Sequence, residues 1–229
     1  MLRIIKERFQ QKYRTMAYPN GPAPKLPDRF AGRPLLETGC TPGCDVCRTV
    51  CPIGAITMES ANACPTVDTG RCLFCRTCEK ACPRGVIRFS RDHRLASATR
   101  KGLIIANDSQ GLASAGNAVA TKFFARSLKL RQVSAGGCNA CEADSNVLGT
   151  PAWDMGRFGI QFVASPRHAD GLLITGPVTV NMRLALEKTY AAVPHPKIVI
   201  AVGACAISGG PYAGHPEQLP VGALSPESR

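Results

Sequence analysis

Short apolar runs in the C-terminal half of the chain are the clearest feature of its hydropathy pattern. The three runs are residues 158–163, 171–175 and 197–202. Each is rich in aliphatic or aromatic residues and has the length of a buried strand. Between the last two runs, Met182, Leu186 and Val193 share one helical stripe within residues 178–193. This succession of strand, helix and strand predicts a parallel β-α-β unit.

The N-terminal pattern is different, because basic residues dominate it. Ile4, Ile5 and Phe9 fall on one side of a short helix predicted within residues 1–16. The other positions hold the basic residues Arg3, Lys6, Arg8, Lys12 and Arg14. Such a helix can lie on a lipid surface, pack on a partner protein or cover part of its own chain, and the sequence leaves all three open.

Two connectors separate the patterned regions. Residues 19–34 contain five prolines and two glycines, which predicts an extended segment. Residues 97–132 form the second connector, with an amphipathic helix predicted near its end. The apolar positions of that helix are Ala118, Phe123, Leu128 and Leu130, and its basic positions are Lys122, Arg126, Lys129 and Arg131.

Charge and hydropathy narrow the class of protein. The 229 residues carry a formal net charge of +12, and the basic excess lies before residue 138. This skew favours docking on an acidic partner protein or an anionic membrane face. Nucleic acid is disfavoured, since no stacking aromatics or zinc-finger histidine spacing accompany the charge. No apolar run approaches the roughly 18 residues of a membrane span, and residues 1–15 lack the apolar core of a signal peptide. We therefore expect a cytosolic chain without a transmembrane segment of its own.

Nine of the twelve cysteines lie within residues 40–82, a stretch too short to build a large apolar core. They form two similar copies, each closed by a Cys-Pro pair and followed by an apolar tail. The copies are Cys40-x3-Cys44-x2-Cys47-x3-Cys51-Pro52 and Cys72-x2-Cys75-x2-Cys78-x3-Cys82-Pro83. The second copy matches the bacterial ferredoxin pattern in full, whereas the first has one extra residue after Cys40.

In this pattern three cysteines of a copy bind one [4Fe–4S] cluster and the fourth reaches the cluster of the other copy. The predicted ligands are Cys40, Cys44, Cys47 and Cys82 for the first cluster, and Cys72, Cys75, Cys78 and Cys51 for the second. Zinc and disulfides are the alternatives. A zinc ribbon has two separated CxxC pairs, and a disulfide framework needs an exported chain. Cys64 lies outside the pattern and is interpreted as a small buried hydrophobe, with a ligand role as the alternative.

The remaining cysteines indicate a third site. Cys138 and Cys141 form a CxxC pair, and Cys205 follows a predicted strand end, where ligands of parallel sheets collect. Together they supply three of the four ligands of a cluster. His168 and His215 are the nearest alternative ligands in kind, although capping or surface histidines are more common.

Six segments of the C-terminal half resemble a known family. They are residues 137–142 (GCNACE), 157–159 (RFG), 165–170 (SPRHAD), 175–179 (TGPVT), 202–206 (VGACA) and 209–210 (GG). They resemble the small subunit of membrane-bound, energy-converting [NiFe] hydrogenases of the formate-hydrogenlyase type, which is related to the 20 kDa subunit of respiratory complex I. Residues 1–95 resemble the two-cluster ferredoxin subunit of the same assemblies. The chain therefore resembles a fusion of two neighbouring electron-transfer subunits.

The resemblance implies an α+β bacterial-ferredoxin-like domain followed by an α/β parallel-sheet domain of the flavodoxin-like type. The expected divisions are a basic helix and proline-rich connector (1–34), a ferredoxin domain with two [4Fe–4S] clusters (35–95), a linker (96–125) and an incomplete hydrogenase small-subunit-like domain (126–229).

The chain departs from the family at two places. Complex I relatives have adjacent cysteines where this chain has Cys138 and Cys141, which favours the hydrogenase branch. The family places its fourth ligand in a Pro-Gly-Cys-Pro-Pro segment downstream of the Gly-Gly turn, and no such segment precedes Arg229. We therefore expect a truncated C-terminus and a third [4Fe–4S] or [3Fe–4S] cluster that lacks a ligand.

By resemblance, the function expected is electron relay without a catalytic site of its own. The ferredoxin clusters would exchange electrons with a redox partner protein, and the third cluster would pass them to a [NiFe]-type large subunit on the inner face of the cell membrane, in a complex that includes membrane subunits. Alternatives are a subunit of a complex I-like quinone-reducing enzyme and a truncated cluster-binding assembly or interaction module.

Four further residues match the family: Glu142, Arg157, His168 and Asp170. We expect them to support the third cluster or to face a partner subunit. Their simpler interpretations are structural: Asp170 braces the start of a strand, Arg157 pairs with it, and Glu142 is solvated near the cluster loop.

Overall fold

A computed structural model describes residues 2–12, 14–58, 64–106, 124 and 127–219. The described helices are α1 (Leu2–Gln11), α2 (Val46–Thr49), α3 (Thr77–Ala81), α4 (Ala140–Val147), α5 (Val180–Ala192) and α6 (Ala204–Ser208). The strands are β1 (Pro34–Leu36), β2 (Ile56–Thr57), β3 (Thr66–Asp68), β4 (Ile87–Phe89), β5 (Ile104–Ile105), β6 (Leu128–Ser134), β7 (Ile160–Phe162), β8 (Gly171–Thr175) and β9 (Ile198–Val202).

The region of the two cysteine copies is built from very short elements. Helices α2 and α3 begin at equivalent positions of the copies, and strands β2 and β4 follow the two Cys-Pro pairs. Strand β4 pairs antiparallel with β1, while β2, β3 and β5 form a separate antiparallel sheet. One buried cluster of this region consists of three aliphatic residues and two cysteines: Ile56, Val67, Ile87, Cys47 and Cys78.

The C-terminal region contains a parallel sheet with the strand order β7-β6-β8-β9. All five residues of β8 are buried, because this strand lies between β6 and β9 and is covered by α5. Leu186 of α5 is fully buried in a core that also holds Val133, Leu172 and Ile174. The predicted β-α-β unit is thus confirmed as β8, α5 and β9, with Gly171 of β8 in register with Ile198 of β9.

Two predicted elements differ from the structure. The run at 158–163 contributes only the three-residue strand β7, because residues 155–158 form a 3₁₀ turn. The amphipathic helix predicted near the end of the second connector is wrong at Leu128 and Leu130, which belong to strand β6. Leu130 is buried between β7 and β8, so sheet packing determines its conformation. Ala118 and Phe123 lie outside the described residues.

The segment after α1 joins the two regions. The backbone N–H of Met16 donates to the carbonyl of Ala152 at 2.9 Å, and the Arg157 guanidinium donates to the carbonyls of Met16 and Tyr18 at 2.6 Å each. The Tyr18 hydroxyl lies 3.1 Å from Nε2 of His93, near the end of the cysteine region. Residues 16–18 therefore contact both regions.

Helix α1 itself buries none of its side chains. Leu2 and Phe9 are 83% and 79% exposed, so the interpretation that α1 covers part of its own chain is wrong for the described residues. Within the same residues, no helix combines the length and the hydropathy that a bilayer span requires.

Candidate iron–sulfur sites

The fold brings Cys40, Cys44, Cys47 and Cys82 together at the first cysteine set. The pKa of the Cys40 thiol is raised by burial and then by the nearby Cys44, Cys64 and Cys82. Burial also raises the pKa of Cys47, and Cys40, Cys82 and Cys44 add to this rise. Three members come from the first copy, whereas Cys82 follows α3 of the second copy.

The second set combines Cys72, Cys75 and Cys78 with Cys51 of the first copy. Burial raises the pKa of Cys78 to about 11, and the nearby Cys72, Cys51 and Cys75 contribute. The pKa of Cys72 is raised by burial and by Cys51 and Cys75. The grouping thus crosses between the copies in the way that the spacing predicts, with each copy contributing its last cysteine to the other set.

The two crossing cysteines have the same backbone surroundings. The N–H of Ala55 donates to Cys51 Sγ at 3.2 Å, and the equivalent N–H of Val86 donates to Cys82 Sγ at 3.3 Å. In each copy a glycine of positive φ, Gly54 or Gly85, turns the chain so that the next N–H faces the sulfur. Burial opposes ionisation of Cys82, but the N–H groups of residues 84–87 outweigh it and lower the pKa of this thiol.

These donors fit iron–sulfur clusters. Each set offers four soft sulfur ligands with backbone N–H groups directed at sulfur, the environment in which [4Fe–4S] clusters are held. No three His, Cys, Asp or Glu side chains of the described ranges are arranged to hold one metal ion. A four-iron cluster binds each cysteine through a different iron atom and therefore needs a wider arrangement than one ion.

Cys64 lies beside the first set, since its thiol contributes to the raised pKa of Cys40. It is half-buried, so the interpretation as a buried hydrophobe describes only part of its environment. The spacing of the two copies gave no indication of this proximity.

The third set contains Cys138, Cys141 and Cys205. Cys141 lies in the first turn of α4 and Cys205 in the first turn of α6, which follows β9 directly. Burial raises the pKa of Cys141, and Glu142, Cys205 and Cys138 add to the rise. Burial and Cys138 likewise raise the pKa of Cys205. The three thiols therefore meet at the carboxyl edge of the parallel sheet.

Two glycines make room for these sulfurs. A Cβ atom on Gly203, whose φ is +88°, would lie 2.5 Å from Cys141 Sγ. A Cβ atom on Gly210 would lie 3.1 Å from Cys205 Sγ. Both glycines belong to the VGACA and Gly-Gly segments, and the space around the thiols depends on their missing side chains.

Glu142 is buried next to this site, with an exposed fraction of only 6%. The hydroxyls of Ser134 and Thr175 both donate to its Oε1 at 2.6 Å and lower the pKa of the carboxyl. Because Ser134 ends β6 and Thr175 ends β8, the carboxylate ties α4 to both strands. The interpretation of Glu142 as a solvated residue is therefore wrong, and its two hydroxyl partners were not identified from the sequence.

The other family-matched residues lie away from the third set. Asp170 precedes β8, and its carboxylate accepts the N–H of Lys129 at 2.7 Å, so it braces the start of the sheet as its simpler interpretation predicts. Arg157 donates to Met16 and Tyr18 rather than to Asp170. His168 is exposed in a 3₁₀ turn before β8. Asp170 and His168 thus lie at the amino edge of the sheet, opposite the cysteines.

His215, the other alternative ligand, is also exposed, and its Nδ1 accepts the N–H of Glu217 at 3.2 Å.

One contact joins the second set to the third. Gly70, two residues before Cys72, is buried against Ile207, two residues after Cys205. A Cβ atom at Gly70 would lie 2.7 Å from Cγ2 of Ile207. The loop that leads into the second set therefore packs directly on the helix that holds Cys205.

Two protein families match parts of the chain. Residues 65–88 match the 4Fe-4S binding domain, and residues 138–227 match the family described as NADH ubiquinone oxidoreductase, 20 Kd subunit. These matches connect the chain with 4Fe–4S binding, electron transport and oxidoreductases of the hydrogenase and NADH–quinone types.

Individual relatives are similar over parts of the chain. A probable membrane-bound hydrogenase subunit of Pyrococcus furiosus is 44% identical over 42% of this chain and 57% of its own length. Formate hydrogenlyase subunit 7 of Escherichia coli is 47% identical over 39% of this chain and 35% of its own length. An NADH-quinone oxidoreductase subunit of Bacteroides thetaiotaomicron is 43% identical over 32% of this chain and 38% of its own length. The chain thus spans between about a third and three fifths of these relatives.

Among solved structures, a chain of the archaeal membrane-bound sulfane sulfur reductase matches with a TM-score of 0.37 and 35% identity, over 42% of this chain and 52% of its own.

Proposed function

We propose that the chain is an iron–sulfur electron-transfer subunit of a membrane-associated oxidoreductase complex. The crossing of Cys51 and Cys82 between the two copies supports this most directly. Such crossing is the arrangement of two-cluster ferredoxins and has no use in a pair of independent zinc sites. In this proposal Cys40, Cys44, Cys47 and Cys82 bind one [4Fe–4S] cluster, and Cys72, Cys75, Cys78 and Cys51 bind the other.

The chain's own residues would determine how these clusters work. A [4Fe–4S] cluster supplies one-electron chemistry when it is bound. The N–H groups of Ala55 and Val86 stabilise negative charge on the crossing sulfurs, and burial of Cys47 and Cys78 keeps water from two of the ligands. Both effects set the potential of a site, and neither makes or breaks a substrate bond.

A third cluster on Cys138, Cys141 and Cys205 would receive electrons from the second set. The contact between Gly70 and Ile207 supports this order, because it joins the loop before Cys72 to the helix that holds Cys205. The third cluster would be of the [4Fe–4S] or [3Fe–4S] type. The clearances that Gly203 and Gly210 leave beside the sulfurs fit such a group.

The proposed partners are a [NiFe]-type large subunit, the membrane subunits of the same complex and a soluble electron donor or acceptor. The similarity to hydrogenase and formate hydrogenlyase subunits supports this assignment, as does the CxxC spacing of Cys138 and Cys141. We place the subunit on the cytoplasmic face of the membrane, with the exposed basic helix α1 as a docking element. A complex I-like quinone reductase is the second candidate, favoured by the match of residues 138–227 to the 20 Kd subunit family.

The proposed divisions follow the sequence analysis: a helix and connector (1–34), a ferredoxin domain (35–95), a linker (96–125) and an α/β domain (126–229). When the four strands β6 to β9 of the last domain are numbered 1 to 4, their order in the sheet is 2-1-3-4. This order supports a flavodoxin-like assignment, because flavodoxin-like sheets begin with it.

The test is iron and acid-labile sulfide per chain on anaerobically purified protein, with EPR of the reduced sample. We expect about eight irons from the two ferredoxin clusters and about three or four more from the third. Cys75→Ala should remove one cluster signal, whereas the matched change Cys64→Ala should leave all of them. A Cys75→Ala chain that retains its full iron content and both ferredoxin signals would contradict the proposal.

A further inference from the structure

The two cysteine copies differ at one pair of equivalent residues that touches a ligand. Helix α2 begins at Val46 and α3 begins at Thr77, and each of these residues directly precedes the third cysteine of its copy. The Thr77 hydroxyl lies 3.3 Å from Cys75 Sγ. Valine has nearly the same shape as threonine but offers no hydroxyl, so Val46 cannot make this contact with Cys44.

The direction of this hydrogen bond follows from the chemistry of the site. A cysteine that binds iron does so as a thiolate, which accepts hydrogen bonds and donates none. The hydroxyl must therefore be the donor. The backbone N–H bonds to the two crossing sulfurs are equivalent, from Ala55 to Cys51 and from Val86 to Cys82. The second copy has a further N–H bond, from Phe74 to Cys72 Sγ at 3.3 Å.

Lys80 is a charge near Cys75 whose equivalent in the first copy, Thr49, is uncharged, whereas the ion pairs beside the ligands are balanced. Asp45 pairs with Arg48 in the first copy, and Arg76 pairs with Glu79 at the equivalent positions of the second. Each pair sums to zero formal charge, although the signs are exchanged. The Thr77 hydroxyl is therefore one of several differences between the copies, and the pair of substitutions Thr77→Val and Thr77→Ser isolates its effect.

We propose that Thr77 is a positioning residue that raises the midpoint potential of the cluster on Cys72, Cys75, Cys78 and Cys51. This inference rests on the proposed function, since it requires that the cluster is bound. One electron, taken from the redox partner, reduces the cluster and adds one negative charge to it. Part of this charge lies on the sulfurs, so a hydroxyl that donates to Cys75 stabilises the reduced form more than the oxidised form.

The consequence is a bias in where the electron resides. The second set is the one whose loop packs against the helix of Cys205, through Gly70 and Ile207. A higher potential at this set holds the electron next to the third site rather than at the first set.

The experiment is an EPR-monitored redox titration of the full chain, with dithionite as the reductant. Thr77→Val should lower the midpoint potential of one ferredoxin cluster and leave the iron content unchanged. We expect about a tenfold fall in the equilibrium constant for its reduction, equivalent to about 59 mV for one electron. Thr77→Ser retains the hydroxyl and should keep the midpoint potential of the unsubstituted chain.

Val46→Thr is the matched control at the equivalent position, and it should leave the midpoint potential of the cluster that responds to Thr77→Val unchanged. A Thr77→Val chain with full iron content and unchanged potentials would overturn the role of Thr77 without touching the electron-transfer proposal. Equal shifts in Thr77→Val and Thr77→Ser would also overturn it, since the hydroxyl would then be irrelevant. If the unsubstituted chain binds no [4Fe–4S] clusters, the proposed function itself fails.

Discussion

The two regions of this chain place their cysteines differently with respect to their cores. In the region of the two cysteine copies, here called the ferredoxin region, Cys47 and Cys78 are two of the five residues that form the buried cluster with Ile56, Val67 and Ile87. In the parallel-sheet region the buried core is aliphatic throughout, and Cys138, Cys141 and Cys205 lie at the edge of the sheet. One region therefore needs its ligands to complete its interior, whereas the other holds its ligands on an interior that is already packed.

Element lengths reinforce this difference. The strands of the ferredoxin region have two or three residues, while β6 has seven and β8 and β9 have five each. Short strands and helices of four and five residues bury little apolar area and fix few hydrogen bonds, so we expect a metal cluster to supply much of the folding free energy of this region.

Removal of iron should therefore have the largest effect, and it should affect one region. When the clusters are chelated anaerobically, the amides of Val67 and Ile87 should lose protection from hydrogen exchange, whereas those of Leu172 and Ile174 should keep theirs. Hydrogen exchange followed by mass spectrometry measures both in one sample. If the amide of Ile87 keeps its protection from hydrogen exchange after iron loss, the buried cluster of the ferredoxin region is stable without iron. The contrast between the two regions would then be contradicted.

A substitution in the aliphatic core should destabilise the parallel-sheet region and leave the ferredoxin region unchanged. Leu186→Ala should lower the free energy of unfolding of the sheet region by about 2–5 kcal/mol, since Leu186 is fully buried. Its control is Leu184→Ala on the same helix, where the side chain is 60% exposed and the cost should stay within about 0.5 kcal/mol. Chemical denaturation followed by circular dichroism gives the free energies, and EPR of the two ferredoxin clusters should not change. Equal costs for the two substitutions would contradict the packing described for α5.

Loss of a hydrogen bond to Glu142, beside the third site, should lower the free energy of unfolding by a smaller amount that depends on pH. Thr175→Val removes one of the two hydroxyl donors to Glu142 and should cost about 1–3 kcal/mol at neutral pH. The folded-state pKa of Glu142 is lowered from its ordinary 4.5, so this stabilisation is present above 4.5 and is lost as pH falls through the lowered value. The difference between the two chains should therefore shrink in acid, which urea unfolding at pH 7 and pH 3 measures. A difference that grows in acid would mean that the Thr175 hydroxyl stabilises the protonated carboxyl of Glu142 more than its carboxylate, contrary to the lowered pKa.

The link between the regions should give the smallest change. Arg157→Ala removes the bonds to Met16 and Tyr18 and should cost about 1 kcal/mol, because the guanidinium is exposed. The amide of Met16 should then exchange faster, and the two regions should unfold at more separate denaturant concentrations. Arg183→Ala removes only a surface pair with Glu187 and serves as the control. Unchanged exchange at Met16 would show that Arg157 does not hold this segment.

Prediction from the sequence succeeded where a local pattern fixes the outcome. Strand β8 was predicted at its observed residues, because a strand that is buried on both faces of a parallel sheet has a continuous apolar sequence. The ferredoxin spacing predicts that Cys51 and Cys82 cross between the copies, and each lies near the thiols of the other copy, while their role as ligands stays a prediction. Strands β1, β3 and β5 were missed, since two or three residues are too few to show any periodicity.

The failures concern contacts between distant parts of the chain. Nothing near Glu142 in the sequence indicates that Thr175, 33 residues away, donates to it. The helix predicted through Leu128 failed because its neighbours in β7 and β8 determine that it is a strand. His168 and Asp170 match the family as the cysteines of the third set do, yet they precede strand β8 and therefore lie at the opposite edge of the sheet.

Gly70 has no side chain at the point where the two regions of the chain are in contact. A methyl group there would lie within 3 Å of Cγ2 of Ile207 and Cδ1 of Leu103, so these side chains would have to shift. Gly70→Ala would thus alter the contact between the loop of Cys72 and the helix of Cys205 without changing a ligand or a charge. In the proposed relay, this position allows the packing between the second and third sites to be changed while their ligands stay the same.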